Sequence, residues 1–123
     1  MMNQVELIGR LGGNPTLRDL KTGERVCVIR LATSESWKDA KGERKERTIW
    51  HTVEIFGKGK VNAIEKGLKR GSLVHIEGQL RYDEFETDGI KQIRAKITIS
   101  GPKHQIIFLD KKPAGQADEE EGG

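Results

Sequence analysis

The chain has 123 residues, of which 34% are hydrophobic and 33% charged, so it is long enough for one domain with one core and too hydrophilic to lie within a membrane. Its 22 Lys and Arg against 19 Asp and Glu give a formal net charge of only +3. The balance is uneven, because residues 113–123 hold four acids and no base, which leaves 22 bases against 15 acids, a net charge of +7, in residues 1–112. The single cysteine, Cys27, excludes an intrachain disulfide, and the absence of a secretion signal at the start predicts a cytoplasmic protein.

The N-terminal third of the chain alternates apolar and polar residues, which is the period of a β-strand with one buried face. Three extended runs are predicted, the last two separated by the turn signal Thr22-Gly23. The residues that we expect to point inward are Val5, Leu7, Gly9 and Leu11 in the first run and Cys27, Ile29 and Leu31 in the third.

The next strand places large rings among polar residues. Its inward set is Ile49, Val53 and Ile55, and its outward set includes Trp50 and Phe56. Burying a ring removes a large apolar area from water, so a ring on a polar face calls for a reason. Either these rings fold into the core behind a charged rim, or they form a binding surface.

One segment has helical spacing, residues 60–69, with Val61, Ile64 and Leu68 at positions i, i+3 and i+7. A long hairpin follows and reverses at Asp88-Gly89, a dipeptide typical of a tight turn. Val74, Ile76 and Leu80 are inward on its first strand, and Ile93, Ala95, Ile97 and Ile99 on its second.

These elements predict a mainly all-β fold. We expect a five-stranded OB-fold barrel with one helix between the third and fourth main strands and a long β-hairpin. The domain is predicted at residues 1–110, followed by a flexible acidic tail at residues 111–123.

Motifs for catalysis are missing from the sequence. The glycine-containing stretches match neither the phosphate-binding loop GxxxxGK[ST] nor a dinucleotide fingerprint. His51, His75 and His104 stand singly, at no metal-ligand spacing, and His51 has the inward parity expected of a packed or interface histidine. We therefore expect no enzymatic activity, no cofactor and no metal.

Aromatic rings and cations alternate along the chain. Trp37 is followed by a basic run, Phe56 precedes Lys58, and Arg81 precedes Phe85. Single-stranded nucleic acid calls for this combination, because cations neutralise its phosphates and rings stack on unpaired bases of any sequence. A stacked base contributes roughly 1–3 kcal/mol to binding, so the rings would supply most of the binding free energy.

Other interpretations of the same residues stay open at this level. The basic run KDAKGERKER is also typical of a polar hairpin tip, and Phe85 of a ring that covers its own hairpin. An RNA-binding or primosome-type OB module would carry the same rings and cations, since neither excludes a 2′-OH. A structural oligomerisation domain would use the rings as subunit contacts.

Four sequence blocks in order resemble one known family. They are MNQVELIGRLGGNP, LATSESWKD, WHTVEIFGK and RGSLVHIEGQLR, and they are similar to the bacterial single-stranded DNA-binding protein (SSB) family over residues 2–101. The resemblance implies an OB-fold and a homotetramer. It also implies sequence-independent binding and protection of single-stranded DNA during replication, recombination and repair, in the cytoplasm and near the nucleoid.

The resemblance implies roles for individual residues as well. The base-stacking rings are Trp37, Trp50 and Phe56, together with Phe85, which stands where a tryptophan is common. The basic residues that face phosphates are Lys38, Lys45, Lys58, Arg70 and Arg81. His51 matches a histidine near the family's subunit contact.

The chain departs from the family pattern in three places. Gln4 stands where a basic residue is frequent, and Asp83 and Glu84 make the long hairpin acidic. The family's tail typically ends in acids capped by a short apolar tip that docks replication and repair proteins, whereas this sequence ends in ADEEEGG. We expect a short-tailed member in which that docking tip is absent.

Overall fold

The computed structural model describes residues 1–110, and the predicted acidic tail lies outside the described residues. In chain order the elements are β1 (Val5–Leu11), β2 (Thr16–Asp19), β3 (Arg25–Lys38), β4 (Arg44–Phe56), α1 (Lys58–Gly67), β5 (Leu73–Thr87), β6 (Ile90–Ile99) and β7 (Gln105–Phe108). Strands therefore dominate, as the alternating sequence predicts.

Five strands close into a barrel in the order β1-β3-β4-β6-β5, and β5 returns to pair with β1. The first half of β5 pairs with β1 and the second half with β6, so this long strand belongs to both sides of the closure. β4 and β6 run parallel, and the other pairs are antiparallel. With α1 between β4 and β5, the predicted five-stranded OB-fold is confirmed.

Side chains from alternate strand positions fill the barrel, because successive residues of a strand point to opposite faces. The predicted inward sets supply the buried residues Leu11, Cys27, Ile29, Leu31, Val53, Ile55, Val74, Ile76, Ile97 and Ile99. The Cys27 thiol is free, and burial, followed by the charge of Glu65, raises its pKa to about 11. Cys27 is therefore a small buried residue, as its inward position in the sequence predicts, and its thiol stays protonated near neutral pH.

Two hairpins project from the barrel. One is formed by the far ends of β3 and β4, where residues 40–50 are all exposed, and the other by the far ends of β5 and β6. The tip of the first is held by Asp39, whose carboxylate accepts hydrogen bonds from the backbone N–H groups of Lys41 and Glu43 at 2.9 Å. The second reverses at Asp88 and Gly89, both with positive φ (53° and 77°), which is the geometry that the Asp-Gly signal predicts.

These projections correct part of the predicted core. Ile49 and Ile93 have inward parity, yet they are 45% and 66% exposed. Both lie where a strand has left the barrel, so no interior remains for their side chains to fill. Parity along a strand predicts which face a residue is on, whereas burial depends on whether another element covers that face.

The predicted helix exists, but its bounds were shifted by two residues. We expect residues 60–69 from the apolar spacing, and α1 spans Lys58–Gly67. The chain has already turned extended at Leu68, whose backbone φ and ψ are −112° and 144°, although its side chain packs in the core. A core contact just after the helix end therefore mimics a further helical position. The helix is neither long nor apolar enough to cross a membrane.

Candidate nucleic-acid interface

The strand register brings the outward residues of four strands together on one surface. Arg30 of β3 lies opposite Thr52 of β4, and Glu54 of β4 lies opposite Thr98 of β6. On the other edge of β6, Lys96 lies opposite Arg81 of β5. We call this surface the outer face, and it carries Arg30, Trp50, Thr52, Glu54, Phe56, Arg81, Asp83, Phe85, Arg94 and Lys96.

The four predicted base-stacking rings are open to solvent to different degrees. Trp50 is 51% exposed and Trp37 is 41% exposed, so neither tryptophan is a core residue. Phe56 and Phe85 are half-buried. Phe56 lies opposite the buried Val26 in the register, close to the body of the barrel. The hypothesis that the tryptophans fold wholly into the core is therefore wrong.

Trp37 is exposed for a different reason from Trp50. It has the parity of Ile29 and Leu31, which point into the barrel, and so lies on the opposite face of β3 from the neighbours of Trp50. Its partner in the register is Lys45, near the tip of the projecting hairpin. Trp37 thus meets solvent because the hairpin extends past the barrel, and the two tryptophans occupy opposite faces of the same ribbon.

Each of three rings has an arginine above it. The guanidinium carbon of Arg30 lies 5.4 Å from the ring centre of Trp50, that of Arg47 lies 5.5 Å from Trp37, and that of Arg94 lies 4.7 Å from Phe85. In every case the arginine is two positions away from the residue directly opposite the ring on the neighbouring strand. This diagonal is within reach of long side chains, and a cation over an exposed ring gains about 0.5–1 kcal/mol.

An open groove of about 370 Å³ adjoins Trp50. It lies between β4 and the β5–β6 hairpin and is lined by Trp50, His51, Thr52, Leu80, Arg94, Ala95, Lys96 and Ile97. Its lining combines the Trp50 ring and apolar side chains with two cations, Arg94 and Lys96. That combination suits an unpaired base and its phosphate.

Ion pairs occupy the middle of the outer face. The ammonium of Lys96 lies 2.7 Å from a carboxylate oxygen of Asp83 and 2.9 Å from one of Glu54, and Glu54 also meets Arg18 at 3.3 Å. Desolvation acts to lower the pKa of Lys96, but hydrogen bonds to Asp83 and Glu54, with their charges, outweigh it and raise the pKa. The acidic residue Asp83 therefore neutralises a lysine within the candidate site.

The lysines and arginines that we predict to face phosphates differ in whether a carboxylate already pairs with them. Lys45 lies within 3.9 Å of Asp39 and 3.7 Å of Glu43, whereas no carboxylate within residues 1–110 comes within 4.0 Å of the other four. Those four are Lys38, Lys58, Arg70 and Arg81. Of them, Arg81 lies on the outer face.

Two of these basic residues lie at or beside loops between secondary-structure elements and not on the outer face. Lys58 begins α1 and lines a second cavity of about 410 Å³ beside the β2–β3 turn. The backbone N–H of Arg70 donates to Asn14 at 2.9 Å, in the segment that follows β1. A Cβ added to Gly12 in that segment would strike the Trp50 ring, so Arg70 is attached to the loop beside this tryptophan.

His51 lies half-buried at the barrel end of β4, in agreement with its inward parity. Its Nε2 shares a hydrogen bond of 2.9 Å with the Thr33 hydroxyl, and burial lowers its pKa. Both observations favour a neutral, packed imidazole. Its place at a subunit contact stays a prediction.

The structure brings together one cluster that sequence reasoning missed. On the opposite side of the barrel, the side-chain ligand atoms of Glu6, His75 and Glu77 lie within 4.8 Å of one another. His75 is 2.8 Å from Glu6, and a hydrogen bond from Gln105 is the main cause that lowers the pKa of Glu77. Partner strands place residues 69 and 71 positions apart side by side, which spacing along the chain does not reveal.

Comparison with known proteins identifies the family. The model of the single-strand binding protein family matches residues 2–107. The chain belongs to the single-strand binding protein family. Among curated members, it is 35% identical to the single-stranded DNA-binding protein of Rickettsia conorii (strain ATCC VR-613 / Malish 7), over 98% of this chain and 81% of that protein. It is 37% identical to the protein of the same name from Rickettsia prowazekii (strain Madrid E), over 94% and 77%.

Solved structures of this family agree with the barrel. The Plasmodium falciparum SSB, solved in complex with ssDNA, superposes with a TM-score of 0.82 at 34% identity, covering 89% of this chain and 96% of that one. A deletion mutant of the single-stranded DNA binding protein from Thermus aquaticus gives 0.71 at 28% identity, covering 89% and 51%. The resemblance inferred from the four sequence blocks is confirmed.

For this member of the single-strand binding protein family, three features of the site escaped sequence reasoning. Arg30 and Arg94 are distant in sequence from the rings they cover, and Gly12 is distant from Trp50. The only sequence signal available was that Arg30 and Arg94 have outward parity on their strands. Which ring each would meet depends on the register between strands.

Proposed function

We propose that the protein binds single-stranded DNA without sequence preference and protects it during replication, recombination and repair. The observation that carries this proposal is the half-exposed Trp50 on the outer face, next to an open groove whose lining includes Arg94 and Lys96. A flat apolar ring held in water gains by stacking on an unpaired base, and every base has such a face. Family membership and the DNA-bound Plasmodium relative support the same ligand.

The proposed contacts divide by chemistry. Bases stack on Trp37, Trp50, Phe56 and Phe85, and phosphates meet Lys38, Lys45, Lys58, Arg70 and Arg81. Lys45 contributes least of these cations, because Asp39 and Glu43 share its charge. Phe85 offers less stacking area than tryptophan would, and its half-burial lowers that area further.

The biological setting follows from the family. We propose a non-enzymatic, cytoplasmic protein near the nucleoid that assembles as a homotetramer, with His51 near a subunit contact. Residues 1–110 act as the DNA-binding domain. Replication and repair proteins are candidate partners.

A fluorescence titration tests the DNA-binding proposal. Adding oligo(dT) at low salt should quench the emission of Trp37 and Trp50, whereas duplex DNA should have little effect, because its bases are already stacked. Unchanged emission at low salt would overturn the proposal. Competition between matched RNA and DNA oligomers separates the RNA-binding alternative, which predicts that RNA displaces the DNA at equal concentration.

Replacing Trp50 by alanine separates the proposal from a purely structural role. Under the proposal Trp50→Ala weakens oligo(dT) binding and leaves the mass of the assembly unchanged in light scattering. The more conservative Trp50→Phe keeps a ring and should retain most of the affinity. Dissociation of the assembly by Trp50→Ala, with DNA affinity per folded subunit unaltered, would instead support an oligomerisation domain.

A further inference from the structure

We propose that Arg30 and Arg94 bind phosphates of the DNA strand, each beside a ring, so that one nucleotide meets an aromatic face and a cation together. The inference rests on the proposed binding of single-stranded DNA and adds two residues to that site. Both arginines belong to the outer face, and both lie over a ring of it, Arg30 over Trp50 and Arg94 over Phe85.

In the described part of the chain, neither of these two arginines is paired with a carboxylate. Within residues 1–110, no carboxylate oxygen lies within 4.0 Å of either guanidinium, whereas Arg18, Arg25 and Lys96 each have a carboxylate at 3.3 Å or less. A cation already paired with a carboxylate gains little from a phosphate, because the two anions compete for it. Among residues 1–110, Arg30 and Arg94 have no such competitor.

Stacking on a ring leaves a guanidinium free to bind an anion. The group is planar, and its five N–H donors lie in the plane, so one flat side can rest on a ring while the edges point outward. Those edges match the two oxygens of a phosphate in a bidentate contact. The ring also restricts the arginine side chain in the free protein, which reduces the entropy lost on binding.

The position of Arg94 links the two rings of the outer face. Trp50 lies on β4 and Phe85 on β5, and β6, which carries Arg94, runs between these strands. Arg94 lines the groove beside Trp50 while its guanidinium lies over Phe85. A strand that stacks one base on each ring therefore passes its backbone over Arg94.

The pair formed by Arg47 and Trp37 offers an internal comparison. Arg47 has the same ring geometry at 5.5 Å, but a carboxylate oxygen of Glu35 lies 4.0 Å from its guanidinium. Part of its charge is therefore already balanced. We expect Arg47 to contribute less phosphate binding than Arg30 or Arg94.

The salt dependence of oligo(dT) binding tests the inference. For single strands each neutralised phosphate adds about 0.7 to the slope of log affinity against log salt, so Arg30→Gln and Arg94→Gln should each reduce the slope by about 0.7. Between about 50 and 200 mM salt, the ratio of wild-type to variant affinity should then shrink by about 2.6-fold. Lys91→Gln is the matched control, because Lys91 lies on the opposite face of the same strand and pairs with Glu84 at 3.8 Å.

The outcomes separate this inference from the proposed function. Failure of the wild-type protein to bind oligo(dT) overturns both. Binding by the wild type with an unchanged slope in Arg30→Gln and Arg94→Gln overturns the inference alone, as does an equal change in Lys91→Gln. Arg94→Lys keeps the charge and should keep the wild-type slope of log affinity against log salt. A slope reduced in Arg94→Lys as much as in Arg94→Gln would show that the reduction comes from changed packing, and this result would also overturn the phosphate contact.

Discussion

Alanine at position 12 should displace the Trp50 ring and weaken DNA binding while the barrel stays folded. A Cβ on residue 12 would lie 2.2 Å from Cζ3 and 2.7 Å from Cη2 of Trp50. Ordinary contact begins at 3.4 Å, so the ring has to retreat by the difference between 3.4 and 2.2 Å, which is 1.2 Å. The indole moves more easily than the backbone, because it is 51% exposed and the N–H of Gly12 donates to the Arg30 carbonyl at 2.9 Å.

The size of the effect follows from the stacking energy. Complete loss of a stacked base costs roughly 1–3 kcal/mol, which corresponds to about 5- to 150-fold in the dissociation constant. The ring is shifted and not removed, so we expect Gly12→Ala to weaken oligo(dT) binding by about 5- to 10-fold, the lower part of that range. The Arg30 guanidinium, which now lies 5.4 Å from the ring centre, should lose part of its contact as well.

Gly13→Ala is the matched control for this experiment. A Cβ on residue 13 meets nothing within 4 Å, and neither glycine has a positive φ that would strain an alanine. Affinity is measured by oligo(dT) titration with tryptophan emission, and folding by thermal unfolding. Wild-type affinity for oligo(dT) in Gly12→Ala would refute the argument that Gly12 leaves room for the Trp50 ring. An equal loss of affinity in Gly13→Ala would show that the loss comes from the loop after β1 and not from the displaced ring.

Three further predictions address other parts of the molecule. Asp83→Asn removes one of the two carboxylates that hold Lys96, so the slope of oligo(dT) affinity against salt should steepen, but by less than the value of about 0.7 for a free cation, because Glu54 still lies 2.9 Å from the Lys96 ammonium. An unchanged slope would contradict the prediction that Asp83 keeps Lys96 from the phosphates. Gly9→Ala would place a Cβ 2.2 Å from a backbone carbonyl oxygen of β3 and should lower the free energy of unfolding by about 1–3 kcal/mol in a denaturant titration. Gly59→Ala, where a Cβ meets open space, should cost nothing and is the control. Because burial lowers the pKa of His51, the unfolded state takes up a proton on this residue at a higher pH than the folded state does. Stability should therefore be lost as the pH falls below 6.5, the ordinary pKa of histidine. The melting temperature of His51→Gln should fall less over this pH range, and a pH profile identical to that of the wild type would contradict the burial of a neutral His51.

The sequence predicted the fold well where structure depends on neighbours along the chain. Strand alternation gave the inward residues that fill the barrel, such as Leu31 and Ile55, because the period of two is a property of a single strand. Asp88-Gly89 specified its turn for the same local reason. The helix was found from its apolar stripe, but its end was misplaced, since Leu68 reaches the core from an extended backbone.

Exposure of the candidate site was only partly predictable. Outward parity correctly indicated that Trp50 is exposed. It gave no account of Trp37, which has inward parity and meets solvent because its hairpin leaves the barrel. The same departure exposes Ile49 and Ile93. How far a strand runs beyond the sheet that covers it is a property of the closed barrel.

By itself, the sequence determined the strands, the single helix, the family and the presence of rings beside cations, because each of these is written in residue type and local spacing. Only the tertiary structure decided which partners meet. The stacking of Arg94 on Phe85, the seat of Trp50 against Gly12 and the pairing of Lys96 with Glu54 all join residues on different strands. Their contacts depend on barrel closure and on the register between strands, which place distant parts of the chain within a few ångströms of each other.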